Sequence, residues 1–283
     1  MTHPPELSAR TRAAQLDVLA HDTFDILVIG GGITGAGIAR EARLRGLHVA
    51  LVERRDFAIG TSSRSSKLIH GGVRYLQQGD VSLVMEAAHE RRVLRHIIPY
   101  LVRPIQMLVP VRGRGGYAKI SAGLWAFDRM ARVLKGERYQ MLRQDEALTH
   151  EPLLRADQVY GAGLYYENLS DDARLVIENI KSAAAAGAVV ANYTTVTSFL
   201  REEGQLTAAV VEDGVSGTTF PVRAKVIVNA AGPWVDAVRM LQEEEAIQSR
   251  LHLTKGIHLI IPRTRLNISP VSYTHLTLPT NGC

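Results

Sequence analysis

FDILVIGGGITGAGIAREARLRGLHVALVE, residues Phe24–Glu53, is the stretch from which the rest of the chain can be read. Phe24 to Ile29 form a nearly unbroken apolar run rich in Ile and Val, which suits a strand buried on both faces of a parallel sheet. Gly30, Gly32 and Gly35 follow in the G-x-G-x-x-G spacing and open a helical segment, Ile33 to Arg45, which Gly46 terminates. His48 to Val52 reads as a second buried strand and finishes in Glu53. Each part has a chemical reason. Gly30 permits a tight turn, Gly32 lets a pyrophosphate approach the backbone, and Gly35 allows close helix–strand packing. The positive end of the helix faces the phosphates. Glu53 lies near the roughly 20-residue separation at which an acid binds ribose hydroxyls. Glycines alone also mark ordinary turns; strand, glycines, helix, strand and acid in this order predict a dinucleotide site.

The composition bounds the possibilities around that unit. A chain of 283 residues can bury a full core as one large or two modest domains. Hydrophobic content of 46% and charged content of 22% are ordinary for a globular protein. The formal net charge of +5 favours anionic ligands or an anionic membrane surface, without implying nucleic acid. Arginines are scattered along the sequence and no nucleic-acid motif occurs. The lone cysteine is the final residue, Cys283, which argues against disulfides, thiolate metal sites and a cysteine nucleophile; no metal site is expected. No apolar run reaches the roughly 18 residues of a membrane span, and residues 1–22 lack a signal-peptide core, so a cytoplasmic location is expected. Thr11 to Leu19 reads equally as a short packed helix or a frayed tail.

After Glu53 the chain continues RRDFAIGTSSRSSKLIHGGVRYLQQGD. Gly60 to Lys67 is polar enough to be a plain surface loop. Its position after the second strand of a nucleotide fold also suits a hydroxyl- and amide-rich loop that holds phosphate or ribityl oxygens. The paired glycines Gly71 and Gly72 beside His70 suit close approach of backbone to a flat ring. TSSRSSKLIHGGVRYL, with the glycine motif before it, resembles the FAD-dependent, aerobic-type glycerol-3-phosphate dehydrogenase family. The resemblance continues through residues 80–104, SDDARLVIENIKSAAAAGA (170–188), VIVNAAGPWVD (226–236) and LTKGIHLIIP (253–262). It implies an α/β, glutathione-reductase-like FAD-binding Rossmann fold, discontinuous in sequence, with an inserted α+β substrate-side domain.

The pattern of elements agrees with two parts. Val81 to His96 reads as an amphipathic helix, Gln106 to Val111 as a strand, and Tyr117 to Leu134 as a helix with apolar Ile120, Leu124, Phe127 and Met130. Asp171 or Ser170 can cap a helix from Ala173 to Ala186 that Gly187 ends. Strands are expected at 189–191, 194–201, 206–213 and 218–223, and a separate buried strand at Val226–Asn229 runs into Ala230-Ala231-Gly232-Pro233-Trp234. That turn is either a plain helix start with Pro233 in its first position or a close passage beside the nucleotide, as the resembled family has it. The expected FAD-binding domain spans 23–99 and 166–240, and a partial substrate or cap domain spans 100–165 and 241–268. Residues 1–22 are an extension. The SPVSYTHLTLPTNGC ending, 269–283, reads as foreign sequence on a truncated chain.

The resemblance implies that FAD takes a hydride at N5 from C2 of sn-glycerol 3-phosphate, giving dihydroxyacetone phosphate, and that electrons pass to a quinone. Quinone delivery implies a peripheral position on the inner face of the cell membrane. The implied cofactor contacts are Gly30, Gly32, Gly35, Glu53, Thr61, Ser62, Ser63, Ser66, Lys67, Leu68, His70, Gly71, Gly72, Val196, Ala231 and Gly232. Arg74 and Tyr75 match the family's substrate-contacting pair, and Lys255 is a further phosphate candidate; a guanidinium grips phosphate bidentately. Arg74 in a surface ion pair and Tyr75 in the core is the bland alternative. Histidine is the natural proton acceptor near neutral pH, which makes His70 and His258 the candidates for the base, although lone histidines are more often structural. Competing readings are an oxidase that uses oxygen on the same substrate, another amine or hydroxy-acid oxidase of this superfamily, and a non-catalytic FAD-binding fragment.

Overall fold

The computed structural model describes residues 7–69, 80–242, 248–254, 256–257, 261–262, 264–265 and 271–272. The chain divides into two compact units, one of residues 1–66 and 171–256 and the other of 67–170 and 257–283. These borders fall at 66/67, 170/171 and 256/257, whereas the sequence reading drew them at 99/100, 165/166 and 240/241.

The first unit begins with α1, Arg12–His21. Of the two readings of this segment, the packed helix is the one observed: Leu19 is fully buried in the core. The Arg12 guanidinium pairs with Asp213 and donates to the Asn192 carbonyl at 2.8 Å. Asp213 feels two opposed effects. Burial pushes its carboxyl up, but hydrogen bonds from Ser216, Arg12 and the amides of Val215 and Ser216 outweigh it and hold it below the usual range. β1 is Thr23–Ile29, α2 is Ile33–Leu44, and β2 is Val49–Val52, every residue of which is buried. Phe24, Leu27 and Val28 are fully buried as well, at roughly 1.5–3 kcal/mol of hydrophobic stabilisation for each such side chain.

The chain then enters the second unit through β3, Leu68–Ile69, followed by α3, Val81–Ile97, and β4, Val102–Val111. The helix α4 runs Gly113–Ala131, β5 is Gln140–Arg143, α5 is Gln144–His150 and β6 is Gly161–Ser170. β6 pairs antiparallel with β4 along its whole length and with β5 and β3 on its other edge. Gly161 and Gly163 sit there because a Cβ at 161 would lie 2.5 Å from the Leu142 carbonyl, and one at 163 would lie 2.7 Å from Leu124 of α4. Arg91 of α3, nearly buried, pairs with buried Glu167 at 3.2 Å and lies over the Phe127 ring. The two described residues of the 269–283 stretch, Val271–Ser272, form β11 and pair in parallel with β4.

Back in the first unit, α6 is Asp172–Ala185, with the Asp171 carboxylate accepting from the Arg174 amide at 3.1 Å as its cap. β7 (Val189–Ala191), β8 (Thr194–Glu202), β9 (Gln205–Asp213) and β10 (Thr219–Asn229) follow, then α7, Val235–Met240. The strand order among the described residues is β7-β2-β1-β10-β9-β8. β7, β2, β1 and β10 are mutually parallel, β9 runs antiparallel to β10, and β8 runs antiparallel to β9. One expectation is corrected here: 218–223 and 226–229 are a single strand. Its first half pairs antiparallel with β9 and its second half parallel with β1, overlapping at Arg223. A continuous ladder across the two edges removes any reason for a break at Lys225.

Candidate functional site

The parallel strands β1, β2 and β10 end side by side, and their carboxyl-end turns frame one cavity of about 730 Å³ in the first unit. From β1, on one side, the chain moves through α2 to β2, while β10 lies on the other side. This is the crevice at a topological switch point where open α/β sheets take their ligands.

Gly30 makes the first turn with φ +113°, and a Cβ there would lie 2.5 Å from the Ala230 carbonyl. A Cβ at Gly35 would lie 1.9 Å from the Gly30 carbonyl, so this glycine sets how closely α2 packs on β1. Gly35 does not line the cavity; it shapes the wall that does. The Glu53 carboxylate, 9% exposed, accepts from the Gly31 amide at 2.7 Å and the Arg55 amide at 2.9 Å. It thereby stiffens the glycine turn while one face borders the cavity. The Ser62 hydroxyl accepts from the Ile33 amide at 3.0 Å, at the first turn of α2, where backbone donors lack helical partners.

Gly30, Gly32, Glu53, Thr61, Ser62, Val196, Ala231 and Gly232 all line this one cavity, so eight of the cofactor candidates converge from five separate stretches of sequence. Ser63 and Ser66 are in the same unit but do not line it; the Ser63 hydroxyl donates to the Gly60 carbonyl at 3.3 Å within its own turn. Lys67 and Leu68 belong to the second unit. His70, Gly71, Gly72, Arg74, Tyr75, Lys255 and His258 lie outside the described residues.

The wall includes further residues that the sequence reading did not name singly, of which Gly60 and Ser65 belong to the loop it placed at the nucleotide. Arg54 places its guanidinium 4.2 Å from the centre of the Trp234 ring, and both border the cavity. Gly60 sits beneath that ring, where a Cβ would come within 2.9 Å of it. Thr194 and Thr195 line the cavity beside Glu53, and the Thr194 amide donates to the Glu53 carbonyl at 2.8 Å. Ser65 donates to the Asp172 carboxylate at another part of the wall. Arg54 carried a usable signal, since it directly follows the acid at the end of β2; the threonines carried none.

A glycine turn that admits no side chain, a helix amino terminus beside the cavity and a carboxylate at the end of β2 define a dinucleotide-binding fold. A model of the FAD dependent oxidoreductase family matches residues 25–282, and the chain belongs to that family, with FAD as its cofactor. The match runs across most of the 269–283 stretch that the sequence reading set apart as foreign. The chain is 42% identical over 270 residues to the aerobic glycerol-3-phosphate dehydrogenase of Staphylococcus haemolyticus, covering 94% of this chain and 48% of that protein. It is 44% identical over 258 residues to the same enzyme from Staphylococcus aureus, covering 90% and 46%. The glycerol-3-phosphate dehydrogenase of Bacillus halodurans, solved in complex with FAD, superposes with a TM-score of 0.66 at 39% identity, covering 82% of this chain and 39% of that one. The chain thus spans about half the length of the curated relatives it matches.

Proposed function

We propose that the protein to which this chain belongs oxidises sn-glycerol 3-phosphate to dihydroxyacetone phosphate and passes the two electrons to a quinone. The observation that carries the reading is the cavity at the ends of β1, β2 and β10, in a chain 42–44% identical to aerobic glycerol-3-phosphate dehydrogenases. FAD, when bound, supplies the electron acceptor for the alcohol carbon. The residues of this chain bind and orient. The α2 amino terminus and the amides beside Gly32 face phosphate oxygens, and Glu53 offers a carboxylate to ribose hydroxyls. The Gly60–Ser66 loop closes one side, with Thr61, Ser62 and Ser65 presented to the cavity. On the substrate side, Arg74, Tyr75 and Lys255 hold the phosphate, and His70 or His258 takes the hydroxyl proton. Because the acceptor dissolves in lipid, the protein works as a peripheral protein on the inner face of the cell membrane.

The test uses the full reading frame of the parent protein. Anaerobic addition of sn-glycerol 3-phosphate should bleach the flavin absorbance, and a soluble quinone should restore it. No bleaching would overturn the substrate. Peroxide formed at the rate of turnover, with no quinone reduction, would give the reaction to an oxidase instead. Arg74→Ala should raise KM for the substrate while the protein stays yellow, and an unchanged KM removes Arg74 from the site.

A further inference from the structure

We infer that the outward face of α4 is a docking surface for an anionic lipid bilayer. Its inward face carries Leu124, packed with Met107 and Tyr165, and Phe127 and Ala131, packed with Val84 and Ala88 of α3. The opposite side presents Arg114, Ala118, Ala122, Trp125, Arg129 and the C-cap Arg132, all exposed, with exposed Lys119 beside them. Steps of four, four, three, four and three residues put the first six on a single stripe along a helix about 28 Å long. Arginines that look scattered in the sequence are thereby gathered on one side.

Two features of this stripe point to lipid. First, its charge is of one sign. Arg114, Lys119, Arg129 and Arg132 make no ion pair among the described residues, and no carboxylate is exposed between residues 112 and 136. The one acid on the helix, Asp128, is half-buried, accepts from the Tyr139 amide at 2.8 Å, and has its carboxyl pushed up by burial. Second, Trp125 stands 57% exposed in the middle of these cations, flanked by Ala118 and Ala122, whose small side chains let a flat surface come close. An exposed Trp framed by Arg and Lys is the residue pair that seats at the headgroup level of a bilayer. Just past the helix, Leu134, 59% exposed, and Lys135 repeat the combination. The surface adds a specific contact to the membrane position proposed above and rests on that reading for its biological setting, although its charge and exposure stand without it.

The test is co-sedimentation of the 283-residue chain with vesicles of phosphatidylglycerol and phosphatidylcholine in equal parts, and with phosphatidylcholine alone. The expected result is binding to the anionic vesicles only, reversed by about 0.5 M salt, with a blue shift of tryptophan emission that Trp125→Phe abolishes. The double variant Arg114→Gln/Arg129→Gln, checked for unchanged far-UV circular dichroism, should partition about thirty-fold more weakly. Equal binding by the double variant would overturn the surface while leaving membrane contact elsewhere intact. Equal binding to neutral vesicles, or binding to an acidic protein or an oligonucleotide but to neither vesicle, would also overturn it. Failure of glycerol 3-phosphate to bleach the parent flavin overturns the substrate reading and leaves every vesicle result standing.

Discussion

Replacing Glu53 by alanine separates two roles that the site assigns to one carboxylate. In the structure its oxygens accept from the Gly31 amide at 2.7 Å and the Arg55 amide at 2.9 Å, and the side chain is 9% exposed. Alanine removes both acceptors. Water can reach the partly buried Arg55 amide, whereas the buried Gly31 amide is left without a partner. Stranding one buried donor costs about 1–3 kcal/mol. In a unit of this size each kcal/mol moves Tm by about 2–4 °C, so the cofactor-free protein should melt roughly 2–12 °C lower. FAD at about a hundred times Kd should stabilise the unsubstituted protein by about 2.7 kcal/mol, and that increment should shrink in the variant as ribose hydroxyls lose their acceptor. Differential scanning calorimetry with and without excess FAD reads both effects. An unchanged melting temperature without FAD refutes the locking of the glycine turn. A lowered one with an intact FAD increment refutes the ribose contact and keeps the lock. Glu53→Gln, which retains a single acceptor oxygen, should fall between the two in the cofactor-free protein.

Gly35→Ala places a methyl group 1.9 Å from the Gly30 carbonyl, forces α2 off β1 and should cost about 3 kcal/mol or more; a variant that purifies yellow with normal Tm contradicts the packing role. Asp236 has its carboxyl held down to about 2 by the Ser249 hydroxyl, the Leu251 amide, the Arg239 guanidinium and the Arg250 amide. A depressed carboxylate stabilises above its ordinary value near 4 and loses that contribution as pH falls towards 2, so Asp236→Asn should flatten the acid limb of stability in that window. Chemical denaturation at pH 6, 4 and 2.5 checks this, and parallel curves for both proteins would refute it. Arg54→Ala should weaken FAD binding a few-fold, because a cation over a tryptophan at a partly exposed site contributes about 0.5–1 kcal/mol and here steadies the wall; flavin fluorescence titration giving an unchanged Kd would remove Arg54 from the site.

The nucleotide half was legible because its signals are local. An apolar run, three glycines at fixed spacing and a terminal acid lie within thirty residues, and the structure returns them as β1, α2 and β2 with ends shifted by a residue or so. β6 escaped notice for a physical reason. Glycines at 161 and 163 mimic a loop, yet they are needed because Leu142 and Leu124 press against the strand from its neighbours. Glu167 and Asn168 then look like surface residues, although both are buried. The pairing of Trp234 with Arg54 was hidden, although each stands next to a segment expected at the nucleotide. Their meaning comes from meeting across the cavity, and residues 180 positions apart carry no periodicity that could announce it. The α4 face is the intermediate case: its helix was readable, but the side on which its cations stand required knowing which residues α3 and β6 cover.

The unbroken run of β10 explains why the site is assembled where it is. Its first half takes its register from β9 and its second half from β1, so the β8–β9–β10 meander and the nucleotide strands form one ladder. The last rung is the Ala230 amide donating to the Ile29 carbonyl at 2.8 Å, one residue before Gly30 turns away. Beyond it the Ala230 carbonyl occupies the place where a Cβ of residue 30 would lie. The glycine turn and the Ala231–Trp234 turn are therefore set against each other by backbone, with no side chain between them to adjust the fit. A one-residue slip of β10 on β9 would carry Gly232 and Trp234 about 3.3 Å along the strand axis and invert the strand's facing. The Gly30 turn would stay in place while its partner left. Binding geometry in the cavity is thus decided partly in the hairpin at residues 213–219, whose Asp213 is the ladder partner of the wall residue Thr194.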